Sequence, residues 1–226
     1  MKGTLRFILC MCLVVLVPRH VFSQDGEKLT IPLSDPQSQG HLKVGVLSGS
    51  ISVVGHSGSD VIVETENLKK HQNSSTRDGL RRVSGAGNGF SVEEYNNRVT
   101  IRSHNSNKRQ NFKIRVPRNF SLKLNATNNG NIYVSGVHGE MEISNTNGAI
   151  TLENISGSVV ADALNKNIVV TFDEVTPNAP MAFTSLNGNL DVTFPTDVKA
   201  TIKAKTENGN VYTDFEMEQR VVSNVD

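Results

Sequence analysis

The chain has 226 residues, 23 Lys and Arg against 22 Asp and Glu, no Trp, 9 Phe and 3 Tyr. That length holds one domain of roughly 200 residues after processing, or two small ones. The near-neutral balance, without a concentrated basic surface, argues against nucleic acid as a partner. Many Asn, Ser, Thr, Val and Gly residues suit short strands and tight turns better than a helical bundle.

The N-terminus reads as an export signal. Lys2 and Arg6 form a basic start, Phe7 to Val17 an apolar run, and Val21-Phe22-Ser23 a cleavage site, so residues 1–23 are expected to be removed. The apolar run is 11 residues long, against about 20 for a spanning helix, so no stable membrane span is expected afterwards. Losing Lys2, Arg6 and Arg19 leaves 20 basic against 22 acidic residues, a net charge of −2. Cys10 and Cys12 are lost too, which leaves no thiol for disulfide or thiolate chemistry.

Residues 24–40, with Pro32 and Pro36, read as a polar lead-in to a domain spanning 41–226. Leu42, Val44 and Val46 alternate with polar or small residues, Ser48-Gly49-Ser50 turns, and Ile51, Val53 and then Val61 to Thr65 alternate again, which is the strand signature. Residues 67–89 lose that pattern and read as a long loop with a short helical piece around Asp78 to Val83. Its cluster of Lys69, Lys70, Arg77, Arg81 and Arg82 reads as a solvated loop. Strands resume at Phe90 to Tyr95, Arg98 to Arg102 and Phe112 to Val116, where Pro117 ends the run.

Beyond Phe120 the chain repeats itself. Asn129-Gly130-Asn131-Ile132 recurs as Asn147-Gly148-Ala149-Ile150, Asn165-Lys166-Asn167-Ile168, Asn187-Gly188-Asn189-Leu190 and Asn208-Gly209-Asn210-Val211, in steps of 18, 18, 22 and 21 residues. A period near 20 with one corner per unit is a solenoid signature, and a corner needing positive φ would select Asn and Gly. After each corner one parity is apolar: Ile132 and Val134, Ile150 and Leu152, Ile168, Val170 and Phe172, Leu190, Val192 and Phe194, Val211 and Phe215. About ten residues on lies a second apolar set: Met141 and Ile143, Val159 and Ala161, Met181 and Phe183, Ala200, Ile202 and Ala204. The expected fold is all-β: a single-stranded, right-handed parallel β-solenoid (β-helix or β-roll-like). About five regular coils fall in 125–215, with less regular strands before them that cover one end or continue the coil. Antiparallel hairpins are the alternative, since Asn-Gly also favours hairpin turns.

In the order of its motifs, the chain resembles the bacterial putative-adhesin family of exported β-solenoid domains of unknown function. The resemblance rests on Leu47-Ser48-Gly49-Ser50-Ile51-Ser52-Val53, Val61-Ile62-Val63-Glu64, Val116-Pro117 and the Asn-Gly series, over about 41–215. It implies an exported protein and assigns no ligand residues. Lys166 departs from the series and predicts a third corner that turns differently.

The corner residues Asn129, Gly130, Asn147, Gly148, Asn187, Gly188, Asn208 and Gly209 are read as structural turns, and the outward Tyr133, Thr151, Thr171, Thr193 and Tyr212 as a binding face. No catalytic, cofactor or metal residue is assigned: the five histidines left after processing are scattered. The expected function is a non-catalytic surface or periplasmic module that binds a protein or glycan of the cell envelope or serves envelope structure. A carbohydrate-active enzyme, a lyase or hydrolase, would draw on Glu142, Glu153, Asp173, Asp191 and Asp214. A self-associating structural protein would use open solenoid ends. The sequons at Asn73, Asn119, Asn125 and Asn154 matter only where such sites are glycosylated.

Overall fold

The computed structural model describes residues 28–65, 76–77, 80–82, 89–104 and 109–216. The expected leader 1–23, its cleavage point, Asn73 and most of the 67–89 segment lie outside the described residues. The described strands are β1 (Lys28–Pro32), β2 (Gly40–Ser48), β3 (Ile51–His56), β4 (Asp60–Thr65), β5 (Thr76–Arg77), β6 (Leu80–Arg82), β7 (Phe90–Tyr95) and β8 (Arg98–Ser103). Then follow β9 (Phe112–Pro117), β10 (Phe120–Asn128), β11 (Ile132–Ser135), β12 (His138–Asn145), β13 (Ile150–Ala163), β14 (Ile168–Val175), β15 (Ala182–Ser185) and β16 (Leu190–Thr193). The described fold is all-β, as expected, and its strands join in one mixed sheet.

That sheet is two parallel stacks with antiparallel ends. In one stack β8, β2, β10, β12, the second half of β13 and β15 pair in parallel order. In the other, β9, β3, β11, the first half of β13, β14 and β16 do the same. β13 runs through both stacks, so the sheet is continuous. The alternating apolar residues face one interior. Leu42, Leu122, Met141 and Val159 are buried in one column, and Ile51, Ile132, Ile150 and Ile168 in a column of the opposite stack. Each such side chain contributes about 2 kcal/mol of burial, and only its neighbours in the stack provide that burial.

The repeat order is broken before Phe120. β2 and β3 sit between β8–β9 on one side and β10–β11 on the other, so the chain steps over its own earlier turn when it passes from β9 to β10. The stack's first end is closed by antiparallel strands: β4 on β9, β1 on β4, β7 on β8 and β6 on β7. Two expectations are corrected here. The lead-in contains strand β1, because Ile31 and Leu33 are buried and Pro32 falls at the last residue of an edge strand. The expected helical piece around Asp78 to Val83 contains strand β6, because the edge of β7 offers unpaired backbone groups that this segment takes up in antiparallel pairing.

The corners stack as tightly as the strands. A Cβ added to Gly130 would lie 2.0 Å from Gly49 O, one on Gly148 1.8 Å from Gly130 O, and one on Gly188 2.3 Å from Lys166 O. Close approach, then, selects these glycines. Of the eight corner residues only Asn129 has positive φ, at 57°, which corrects the expected reason for the Asn-Gly pairs. The asparagines form a ladder. Asn147 Nδ2 donates to Asn128 Oδ1 at 2.8 Å, Asn165 Nδ2 to Asn147 Oδ1 at 2.8 Å, and Asn187 Nδ2 to Asn165 Oδ1 at 2.9 Å. The third corner therefore keeps the ladder despite Lys166. Behind it, buried Asn145 donates Nδ2 to Gly130 O and Ala149 O and accepts from Gly148 N at 3.0 Å.

The fifth coil departs from expectation. Residues 196–216 contain no strand, and Ile202 and Val211 are 47% and 61% exposed. A Cβ on Gly209 would meet only Thr206 Oγ1, at 2.9 Å, and no earlier corner. Ala200, Ile202 and Ala204 supply too little apolar area to offset the ordering of a terminal strand. The core closes one turn earlier, where Phe172 stacks on Phe194 with ring centroids 5.4 Å apart and meets Phe183 edge-on at 6.4 Å.

Gly148→Ala is expected to lower unfolding stability in urea by about 2 kcal/mol or more through overpacking, whereas Gly209→Ala changes it by no more than about 0.5 kcal/mol. Asn145→Leu, which strands two carbonyls and an amide in the interior, is expected to cost about 2–3 kcal/mol in the same assay.

Candidate binding face

Strand periodicity puts every second residue of the β9–β3–β11–β13–β14–β16 stack outside, and parallel register lines these residues up in columns. One column runs Glu64, Lys113, Ser52, Tyr133, Thr151, Val169, Asp191. The next contains Arg115, Val54, Ser135 and Glu153, with Thr171 beside Thr193 further along. A register shift in β13 between Leu152 and Ile155, with Asn154 at φ 51°, lies between Glu153 and Thr171. Four of the five expected face residues thus share one outward surface. Tyr212 does not join them: it lies in the strandless segment and is 86% exposed.

At the centre of this surface the half-buried Tyr133 hydroxyl donates to Glu153 Oε2 at 2.8 Å. That bond to a carboxylate holds the phenol's pKa above the usual tyrosine value; desolvation adds to the rise, and a hydrogen bond with Ser135 opposes it. The bond fixes a ring edge and an acceptor together, flanked by the Ser135 and Thr151 hydroxyls. At one margin Arg115 pairs with Glu64 at 2.7 Å. Such a surface offers paired donors and acceptors at strand spacing, the chemistry that sugar hydroxyls or an extended peptide would meet.

The candidate catalytic carboxylates are dispersed. Glu142 lies on the other stack, where Lys123 Nζ donates to its two oxygens at 2.6 and 2.7 Å. Asp214 lies in the strandless segment. Asp191 is two strands and one column from Glu153, roughly 12 Å by strand geometry. Glu153 and Asp173 lie on adjacent strands, but Glu153 is engaged by Tyr133; Asp173 and Asp191 also lie on adjacent strands, with Asp191 in register with Val169, four residues before Asp173. Among the described residues no group of three or more His, Cys, Asp or Glu could hold a metal ion, and no helix is long and apolar enough to cross a membrane. Asn119, Asn125 and Asn154 are exposed.

Several partners escaped the sequence reading. Glu153 as acceptor for Tyr133 is one; a separation of one repeat plus two residues is the signal that could have found it. Asn145 shares the inward parity of Met141 and Ile143 and could have been found from that phase. Buried Glu94 and Asn97 are another pair. Glu94 accepts from Ser34 N and Oγ and from Asn97 N, and Asn97 accepts from Asp35 N at 2.7 Å. They tie the lead-in to the β7–β8 turn. Nothing local in the sequence announces that contact, which spans about 60 residues.

These features define an all-β, solenoid-like repeat domain with one polar, tyrosine-centred outer face. The chain belongs to the Toastrack DUF4097 family, whose model matches residues 6–225. The resemblance carried by the sequence motifs agrees with that membership. No curated protein matches the chain. Two solved structures are similar to it. One is a putative cell adhesion protein from Clostridium sporogenes, at 7% identity and a TM-score of 0.37, covering 74% of this chain and 98% of that one. The other is a putative adhesin from Bacteroides fragilis, at 10% identity and a TM-score of 0.31, covering 75% and 98%.

An alkaline titration of phenolate absorbance tests the central hydrogen bond. The neutral phenol is the favoured form, so its contribution to stability is full below the unfolded tyrosine pKa and is lost as pH rises through the raised folded value. Tyr133→Phe is expected to remove the component that titrates above the ordinary tyrosine range, and Glu153→Ala to move that component down.

Proposed function

We propose that this chain is an exported, non-catalytic binding module of the bacterial surface or periplasm, an adhesin-like right-handed β-solenoid. It binds a protein or glycan of the cell envelope, or serves envelope structure, through the outward face centred on Tyr133. The observation that carries this reading is the Tyr133–Glu153 pair set among Ser135, Thr151, Thr171 and Thr193 on a rigid parallel stack. A binding group on strands is held more firmly than one on loops. The export signal of residues 1–23 supports delivery to the envelope, and family membership supports the solenoid-like scaffold.

The test is binding of the processed chain to purified envelope polysaccharides and to surface-protein fractions. Tyr133→Ala combined with Thr151→Ala is expected to weaken a detected interaction by at least about tenfold while the fold is retained. An interaction untouched by that pair contradicts the assignment of the face. Release of new reducing or unsaturated sugar ends, abolished by Glu153→Gln or Asp173→Asn, would instead make the chain an enzyme.

A further inference from the structure

The Asn-Gly corners differ in chemistry as well as in packing. An Asn-Gly pair loses its side-chain amide when the glycine nitrogen attacks the asparagine Cγ. The new N–C bond closes a succinimide, the Cγ–Nδ2 bond breaks, and ammonia leaves with the amide proton. Water then opens the ring at either carbonyl to give aspartate or isoaspartate. The step needs water alone as co-reactant, a side chain free to turn and a glycine nitrogen free to attack.

At Asn147 both requirements fail. Its Nδ2 is held by Asn128 and its Oδ1 by Asn165, each at 2.8 Å, and Gly148 N is held by Asn145 Oδ1 at 3.0 Å. Asn187 is held by its Nδ2, which donates to Asn165. Asn129 makes no side-chain hydrogen bond among the described residues, but its corner is locked: Gly130 packs within 2.0 Å, measured from an added Cβ, of Gly49 O. Among the described residues, Asn208 has no hydrogen bond to its side chain, Gly209 N has none, and the corner rests on no earlier one. Both residues are exposed.

We infer that Asn208 is a site of spontaneous deamidation in the folded protein, and that the ladder shields Asn147 from the same reaction. The fold has turned one of its repeated corners into a reactive group, while the identical dipeptide three coils earlier, Asn147-Gly148, is kept inert. Conversion at Asn208 places a new carboxylate next to Glu207 in the chain, in a segment that also carries Asp214 and Glu216. The charge of the stack's C-terminal end then changes with the age of the molecule.

The experiment follows the acid form of each corner over time by peptide mapping, in the folded full chain and in the same chain unfolded in urea. In the folded chain Asn208 is expected to convert at a rate within about threefold of its unfolded rate, and Asn147 at least about tenfold below its own, because reaction there waits for local opening. Asn165→Ala, which removes the donor on Asn147 Oδ1, is expected to speed conversion at Asn147 and leave Asn208 unchanged. Should that variant fail to fold, the folded-to-unfolded ratios of the parent chain decide. Equal ratios at Asn147 and Asn208 with the far-ultraviolet spectrum intact overturn the inference, as does an Asn208 as protected as Asn147.

Discussion

The structure depends on how closely one corner can sit on the next. At three successive glycine corners the position of a missing Cβ is filled, within 1.8 to 2.3 Å, by the backbone carbonyl of the preceding corner. No side chain of any kind could occupy it. Beside these corners Asn128, Asn147, Asn165 and Asn187 join head to tail, the ladder running on past Lys166. In the core Ile132, Ile150 and Ile168 stand in register. Close approach at the glycine corners and the asparagine ladder act together, and at Lys166 the ladder bonds of Asn165 carry the stacking on.

The two ends obey opposite rules. A parallel stack leaves unpaired strand edges at both ends, which invite further pairing. At the first end the chain spends five strands, all antiparallel additions to the two stacks, and ties the lead-in to them with the buried Glu94 and Asn97. At the other end order fades. Phe172, Phe183 and Phe194 make a last aromatic layer, Leu190 is 46% exposed, and beyond it no strand is formed up to Glu216. Lys199, Lys203 and Lys205, of one parity in that segment, suit an edge that stays solvated.

Much of the repeated part was legible because its signal is local: two residues set a corner, and alternation within four or five residues sets the inward column. Ile132, Val134, Ile150, Leu152, Ile168 and Val170 are buried as their parity required. The reason for the Asn-Gly pairs was not legible, since close approach between coils is a contact across 18 or more residues and leaves the same letters as a positive φ. The placement of β2 and β3 between β8–β9 and β10–β11 was hidden for the same reason: a period read along the chain assumes that stacking follows chain order. The fifth corner was overread. Its letters repeat, but Ala200 and Ala204 bring little area to bury. For the candidate face, Tyr133, Thr151, Thr171 and Thr193 could be read from outward parity, while the Tyr133–Glu153 bond depends on which residue the next coil places alongside.

A rigid stack, a polar outer column and an open last turn are therefore parts of one design, in which corner stacking grades stability along the solenoid axis. Native-state amide hydrogen exchange measures that grading directly. The amides of Gly148, Ile132, Ile150 and Ile168, each bonded at or beside a stacked corner, are predicted to exchange only through the slowest, global opening, and those of 200–214 at close to the unstructured rate. Equal protection of the two sets, or free exchange at Gly148, would contradict the account.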